Sequence, residues 1–156
     1  MSTPTPTAHR AARAARDARD LPACTVTSLD HLVLTVASIP ASVAWYTLHL
    51  GMHHHVFGGG GNVQRHALTF GTSKINLHEL HHEFEPKAAH VQTGSADLCF
   101  LTPEKVEDVL ERLRVGGLEI LDGGGVVDRT GAAGRLRSVY VRDPDGNLIE
   151  ISNMIE

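Results

Sequence analysis

The sequence predicts an α+β protein in which two βαβββ modules form a curved mixed sheet around a cavity. Two βαβββ patterns follow one another along the chain, the first at about residues 28–80 and the second at about 95–154. A repeated unit of this size predicts a duplicated architecture. Within the strands, apolar residues alternate with polar ones, which places the helices on one face of the sheet and leaves the other face polar. A polar face at matched positions is typical of a cavity wall.

The first module opens with a strand pattern at 29–36, in which His31 lies on the face opposite the apolar residues. Ser38 and Pro40 predict the start of a helix, because serine caps free amides and proline fits the first turn. Gly51 predicts its end. The buried side of this helix is expected to contain Val43, Tyr46, Leu48 and Leu50. Three strands are then expected at 52–57, 63–70 and 73–79, with a glycine loop at 58–61.

The second module repeats this order. A strand is predicted at 95–101, and Thr102 followed by Pro103 predicts the start of a helix that ends at Gly116. The buried side of the helix is expected to contain Val106, Val109, Leu110 and Leu113. Further strands are expected at 118–121, 136–142 and 147–152, the last two joined by the turn Asp143-Pro144-Asp145-Gly146.

Composition excludes several classes of protein. The net charge of -4 provides no basic surface for nucleic acid, and no apolar run approaches the roughly 20 residues that span a bilayer. Cys24 and Cys99 cannot form a disulfide framework, so we expect a cytoplasmic protein and interpret Cys99 as a small buried residue. Residues 1–27 lack a core pattern and predict a disordered tail. Its Ala- and Arg-rich composition is also found in mitochondrial transit peptides, an alternative that Asp17 and Asp20 oppose.

The repeat aligns polar residues of one module with polar residues of the other. Superposing the two patterns matches His31 with Asp97 in the first strands and Asn76 with Glu150 in the last strands. His78 lies on the same strand face as Asn76, since side chains two residues apart point the same way. Histidine and carboxylate are common metal ligands. These matched positions are therefore the candidates for a metal or substrate site.

Alternative roles remain open for each of these residues. His31 could be a polar residue beside the start of a strand, and Glu150 could form a salt bridge with an arginine, because an unpartnered carboxylate between isoleucines is costly. Asp97 could ligate a metal, orient a histidine, or pair with Lys87 or an arginine. Asn76 is expected to orient a ligand or substrate through a hydrogen bond. The predicted hairpin adds two residues that either line the pocket or are half-exposed, Ser138 and Tyr140.

Short stretches in the body of the chain carry a family resemblance. They are Leu29-Asp30-His31, Trp45-Tyr46, Leu50-Gly51-Met52, Phe70-Gly71 and Arg142-Asp143-Pro144-Asp145-Gly146-Asn147-Leu148-Ile149-Glu150. With the paired modules they resemble the vicinal oxygen chelate superfamily, which includes glyoxalase I, bleomycin resistance proteins and ring-cleaving dioxygenases. A narrower set resembles the glyoxalase domain-containing protein 5 group: Lys74-Ile75-Asn76-Leu77-His78-Glu79, Glu83-Phe84-Glu85-Pro86-Lys87-Ala88-Ala89, Gly94-Ser95-Ala96-Asp97-Leu98 and Arg129-Thr130-Gly131-Ala132. The resemblance covers about residues 28–154.

The resemblance implies a divalent metal ion, with Fe, Mn, Ni, Co and Zn all compatible with histidine and carboxylate ligands. His31 and Glu150 stand at two of the superfamily's ligand positions, and Glu150 is the expected catalytic residue. The other two positions hold Asp97 and Asn76, where active glyoxalases carry His and Glu. His78 is a candidate third ligand, which would complete a two-histidine, one-carboxylate triad.

The resemblance further implies a small oxygen-rich metabolite as substrate. Isomerase, lyase or dioxygenase chemistry is expected, with the metal stabilising a chelated, enediolate-like anion. A homodimer, or a pair of modules within one chain, would enclose the cavity. The alternative function is a non-catalytic protein of the bleomycin-resistance type that binds and sequesters a small molecule.

Overall fold

The computed structural model describes residues 21–58 and 63–155, which form two modules that each combine one helix with a four-stranded mixed sheet. The predicted α+β class with two βαβββ modules is confirmed. Most of the expected tail and glycine loop, at 1–20 and 59–62, lies outside the described residues. Residues 21–27 are exposed and contain no helix or strand. In the described part of the chain, every helix is too short or too polar to cross a membrane.

The first module has the predicted order of elements. They are β1 (His31–Val36), α1 (Ile39–Leu50), β2 (His53–Gly58), β3 (Gln64–Phe70) and β4 (Ser73–Glu79). In the sheet, β1 is parallel to β4, and β3 and β2 follow with antiparallel pairing. The Ser38 hydroxyl accepts a hydrogen bond from the Ala41 amide at 3.4 Å, and Gly51 ends α1 with a φ of 64°. Both predicted helix boundaries are therefore confirmed.

The buried side of α1 differs in one residue from the prediction. Tyr46 is fully buried and Val43 and Leu50 are partly buried, but Leu48 is 76% exposed. A helix turns by about 100° per residue, so position 48 lies about 200° around the helix from position 46. The inclusion of Leu48 in the core is wrong for this reason.

The second module has the same topology as the first. Its elements are β5 (Asp97–Leu101), α2 (Val106–Val115), β6 (Val127–Thr130), β7 (Arg135–Arg142) and β8 (Leu148–Met154). In its sheet, β5 is parallel to β8, and β7 and β6 follow with antiparallel pairing. Each sheet therefore has its first strand, β1 or β5, at one edge.

Two predictions for the second module are wrong. The helix begins at Val106, because the Thr102 hydroxyl accepts a hydrogen bond from the Glu104 amide at 3.2 Å in a turn that precedes the helix. The segment 118–121 is not a strand, and β6 takes the outer position of the sheet. β6 lies at an edge and has Val127 as its one apolar residue, so it lacks the alternation by which a strand is recognised in a sequence.

One apolar core joins the two modules. It combines the helix-side residues of both sheets with those of both helices: Leu34, Val36, Tyr46, Met52, Leu68, Ile75, Leu77, Val106, Leu110, Leu113, Val139, Val141, Ile149 and Ile151. Phe70 and Phe100 meet edge to face beside it, with ring centroids 5.3 Å apart. Because the helix-side faces of both sheets share this core, the polar faces of the two sheets point outward.

A buried polar cluster also ties the modules together. The Tyr46 hydroxyl on α1 donates to Asp143 Oδ2 at 2.9 Å, and the Asn147 side-chain amide donates to the same oxygen at 2.8 Å. Asp143 Oδ1 accepts from the backbone amides of Asp145 and Asn147 at 3.0 and 2.9 Å. Burial, and next the charge of Asp143, raise the pKa of Tyr46, which therefore stays a neutral donor. The predicted turn is thus fixed by the helix of the other module.

Candidate functional site

The outward face of the first sheet carries three of the predicted site residues. In the parallel pairing of β1 with β4, His31 is opposite Lys74, Val33 is opposite Asn76, and Thr35 is opposite His78. Paired residues of parallel strands point to the same face of the sheet. The face assigned by strand parity is therefore the one observed.

The second sheet repeats this geometry. In the pairing of β5 with β8, Asp97 is opposite Leu148, and Glu150 lies two residues farther along β8. His31 and Asn76 have the same offset in the first sheet. The four matched positions are thus structurally equivalent between the modules.

His78 lies too far along the sheet to share an ion with His31. It pairs with Thr35, four residues from His31 on β1. Parallel strands rise about 3.3 Å per residue, which makes the separation about 13 Å along the strand direction. Two nitrogens on one ion lie within about 4 Å of each other, since each is about 2 Å from the metal. Strand parity identifies the face of His78 correctly but carries no information about this distance.

The imidazole of His31 is oriented by its neighbour in the sequence. His31 Nδ1 lies 2.6 Å from Asp30 Oδ1, and this hydrogen bond lowers the pKa of Asp30. Within the described residues, Nε2 forms no hydrogen bond, and the side chain is 44% exposed. A carboxylate on one ring nitrogen is the arrangement that orients metal-binding histidines and raises their basicity.

The carboxylate of Glu150 is held by two hydroxyls. Glu150 Oε1 accepts from Ser138 Oγ at 2.5 Å and from Ser152 Oγ at 3.1 Å, and both serines are fully buried. In the described part of the chain Glu150 forms no ion pair, so the salt bridge considered for it is not observed. Ser138 supports the carboxylate from within the sheet.

Glu150 lines a cavity of about 340 Å³ on the polar face of the second sheet. The cavity is lined by Asp97, Leu121, Asp122, Arg129, Tyr140, Leu148 and Glu150. Arg129 Nε donates to the Tyr140 hydroxyl at 3.0 Å, and the guanidinium also pairs with Asp122. Burial is the main cause of a raised pKa for Tyr140, which keeps the phenol protonated at neutral pH.

Two further expectations concern residues beside this cavity. The pairing of Asp97 with Lys87 is not observed, because Lys87 pairs with Glu83 at 3.0 Å. Cys99 is exposed on the polar face of β5, so its interpretation as a buried apolar residue is wrong. Its thiol lies 3.5 Å from Ser152 Oγ, and partial desolvation by the surrounding residues raises the pKa of the thiol.

The first sheet carries a second cavity, of about 210 Å³. It is lined by Phe57, Arg65, His66, Lys74, Asn76, Leu77, His78 and Phe84. The Arg65 guanidinium carbon lies 4.6 Å from the centroid of the Phe84 ring, and the centroids of the Phe84 and His78 rings are 5.2 Å apart. Lys74 Nζ lies 5.3 Å from the centroid of the Phe57 ring. Burial, and next the charge of Arg65, lower the pKa of His78. Arg65, Lys74 and Phe84 were not predicted as site residues, because only the folded chain brings them together.

A single chain does not assemble the predicted metal triad. Within residues 21–58 and 63–155, no three His, Cys, Asp or Glu side chains come close enough to hold an ion. His31 belongs to the outward face of one sheet and Glu150 to that of the other. A site that contains both needs a second chain or a different arrangement of the modules.

Comparison with known proteins identifies the family of this fold. Residues 28–151 match the family model described as "Glyoxalase/Bleomycin resistance protein/Dioxygenase superfamily". The chain belongs to this superfamily. A curated superfamily relative, "Virulence protein STM3117" of Salmonella typhimurium, is 47% identical over 127 residues, which are 81% of this chain and 84% of the relative. "Glyoxalase domain-containing protein RDO1" of Mycosarcoma maydis is 48% identical over 128 residues, 82% of this chain and 69% of the relative.

Solved structures of superfamily proteins agree with the fold. A protein from the mobile metagenome of V. Pseudocholerae, VPC_CASS1, superposes with a TM-score of 0.79 at 52% identity, covering 85% of this chain and 98% of that one. The crystal structure of STM3117 gives a TM-score of 0.79 at 45% identity, covering 85% and 100%. The crystal structure of lactoylglutathione lyase from Agrobacterium tumefaciens gives a TM-score of 0.62 at 19% identity. The match covers 83% of this chain and 96% of that one, and it shows a shared fold.

Proposed function

We propose that this superfamily member is a divalent-metal enzyme that acts on a small oxygen-rich molecule at a site shared by two copies of the chain. The ligands are His31 of one protomer and Glu150 of its partner, with Asp97 beside Glu150. The observation that carries the proposal is that hydrogen bonds orient both main ligand side chains. Asp30 orients the His31 ring and leaves its Nε2 free, while two buried serines donate to the Glu150 carboxylate. Outer contacts of this kind orient the ligands of metal sites.

The shape of one chain supports a homodimer. The shared core directs the polar faces of the two sheets outward, which leaves each polar face open on one side. The edge strands β1 and β5 expose apolar residues there, with Val33 49% and Leu101 61% exposed. Pairing of the first module of one copy with the second module of another, about a twofold axis, would cover both edges and enclose two equivalent cavities.

The residues fit a metal ion by the chemistry of their donor atoms. An imidazole nitrogen and carboxylate oxygens suit Fe, Mn, Ni, Co and Zn, so the donor set does not select one of them. His78 does not belong to this set in the proposed dimer, because the register separates it from His31 and its ring packs beside the Arg65 cation. We assign His78 to substrate binding.

When bound, such an ion acts as a Lewis acid on two neighbouring substrate oxygens. The protein residues then orient the substrate. The protonated Tyr140 phenol, held by Arg129, can donate a hydrogen bond beside Glu150, and Asn76 offers an amide from the opposite wall. Asn76 replaces the glutamate of active glyoxalases, which favours a different isomerase, lyase or dioxygenase reaction. A drug-binding cleft at this site is less well supported, because Tyr140 is the one aromatic residue that lines the cavity at Glu150.

Replacement of Glu150 by Gln tests the metal site. The amide keeps the size of the side chain but removes the charge that attracts the cation, and we expect bound metal, measured by elemental analysis of untagged protein, to fall at least about tenfold. Glu119→Gln is the matched control on an exposed carboxylate, and it should retain the wild-type metal content. Unchanged metal in Glu150→Gln, or wild-type protein that acquires none of the five metals, would refute the proposed site.

A further inference from the structure

The cavity on the first sheet contains polar atoms that have no partner in the protein. In the described part of the chain, five buried side-chain polar atoms form no hydrogen bond, and three of them belong to residues that line this cavity: Arg65 Nε, Asn76 Oδ1 and His78 Nδ1. His78 is only 9% exposed. Buried polar groups are nearly always hydrogen-bonded, so three unpartnered ones around one cavity mark it as a candidate site for a polar ligand.

The charge of the cavity defines the class of that ligand. Across the described residues, neither Arg65 nor Lys74 forms a salt bridge, and the charged side chains that line the cavity are these two cations. The negative charge of the nearby Glu83 is already compensated, because its carboxylate accepts hydrogen bonds from Lys87 Nζ at 3.0 Å and from the His81 amide at 2.8 Å. These two bonds hold the pKa of Glu83 at about 2. The cavity is therefore suited to an anion.

The aromatic residues fix the cations in place. The Arg65 guanidinium lies over the Phe84 ring, 4.6 Å from its centroid, and the His78 ring meets Phe84 edge-on with centroids 5.2 Å apart. The guanidinium is therefore stacked before any ligand binds. Lys74 is held over Phe57 at 5.3 Å. A stacked guanidinium loses little freedom when it binds a planar carboxylate. The volume of about 210 Å³ limits the bound group to a small one.

We propose that Arg65 and Lys74 bind the carboxylate of a small 2-hydroxy acid or a related organic anion, and that Asn76 accepts a hydrogen bond from the neighbouring hydroxyl. The inference rests on the proposed function in one respect: the anionic group is the part of the substrate that lies beside the metal site. Asn76 lies between the anion-binding cavity and the metal site, since it is flanked by Lys74 and His78 on β4 and is offset by two residues from the His31 position. Arg65 is thus the residue that selects anionic substrates.

The test is calorimetric titration of the full chain with sodium lactate, both as purified and after treatment with EDTA. We expect saturable binding in both forms. Propionate, which lacks the hydroxyl, should bind more weakly, and propane-1,2-diol, which lacks the charge, should not bind. Arg65→Met should weaken lactate binding about ten- to hundredfold, the usual effect of losing a charged hydrogen bond. Arg135→Met removes an arginine whose side chain is 71% exposed on the second module, and it should change affinity less than about twofold.

Inorganic phosphate binding that displaces lactate and depends on Arg65 would support the anion site and identify phosphate as a second ligand. No saturable binding of either anion to the wild-type chain would refute it, as would unchanged affinity in a folded Arg65→Met protein. If circular dichroism shows that Arg65→Met is unfolded, the lactate affinity of Lys74→Met is measured instead, and an unchanged affinity in that folded variant would refute the proposal. Binding to EDTA-treated protein separates this inference from the metal site, because each can fail while the other holds.

Discussion

Replacing Asp143 with alanine is expected to lower the free energy of unfolding by about 3–5 kcal/mol, the size of loss expected when a buried hydrogen-bond network is broken. The carboxylate accepts four hydrogen bonds, one of them from Tyr46 of the other module. Its removal leaves these buried donors without a partner. Urea denaturation followed by circular dichroism measures the change.

Asp128→Ala is the control for the Asp143 variant. Asp128 is 65% exposed and lies 3.5 Å from Arg135, so its loss should cost less than about 0.5 kcal/mol. A smaller substitution, Tyr46→Phe, removes one of the four bonds and should have an intermediate effect. If Asp143→Ala is no less stable than the control, the turn does not depend on the cluster and the account of how the modules are joined is wrong.

Replacing His31 with glutamine is expected to weaken metal binding by more than about 100-fold. Loss of a residue that only hydrogen-bonds to a metal ligand typically costs about 10–100-fold, and loss of the ligand itself should cost more. His78→Gln should leave the metal dissociation constant within about threefold of wild type, because His78 lies about 13 Å along the sheet from His31. Competition of each variant with a chromogenic chelator gives both constants. Equal losses in the two variants would instead favour the triad of His31, His78 and Glu150.

The sequence contains enough information to predict the faces of the strands. Alternation with a period of two residues assigns Ile75 and Ile149 to the core and Asn76 and Glu150 to the polar side, as the structure has them. The duplicated pattern also predicts the equivalence of Asn76 with Glu150. These features depend on local periodicity, which a single sequence records directly.

Register and assembly depend on contacts between distant residues, and they could not be predicted in this way. Strand parity places His31 and His78 on one face, but only the pairing of β1 with β4 reveals the distance between them. The cavity around Arg65 combines three strands with Phe84 from the segment after β4, so its residues are dispersed in the sequence. The edge strand β6 was missed because its neighbours, and not its own apolar residues, stabilise it.

In the proposed dimer, each metal site combines His31 of one protomer with Glu150 of its partner. Each of the two single variants, His31→Gln and Glu150→Gln, should bind little metal by itself. When the two are unfolded and refolded together in equal amounts, half of the dimers are mixed, and each mixed dimer contains one intact site and one site with both changes. We therefore predict recovery of about a quarter of the wild-type metal content in a dimeric fraction isolated by size-exclusion chromatography. No recovery above that of the separate variants, or a chain that remains monomeric with its full metal content, would contradict the shared site.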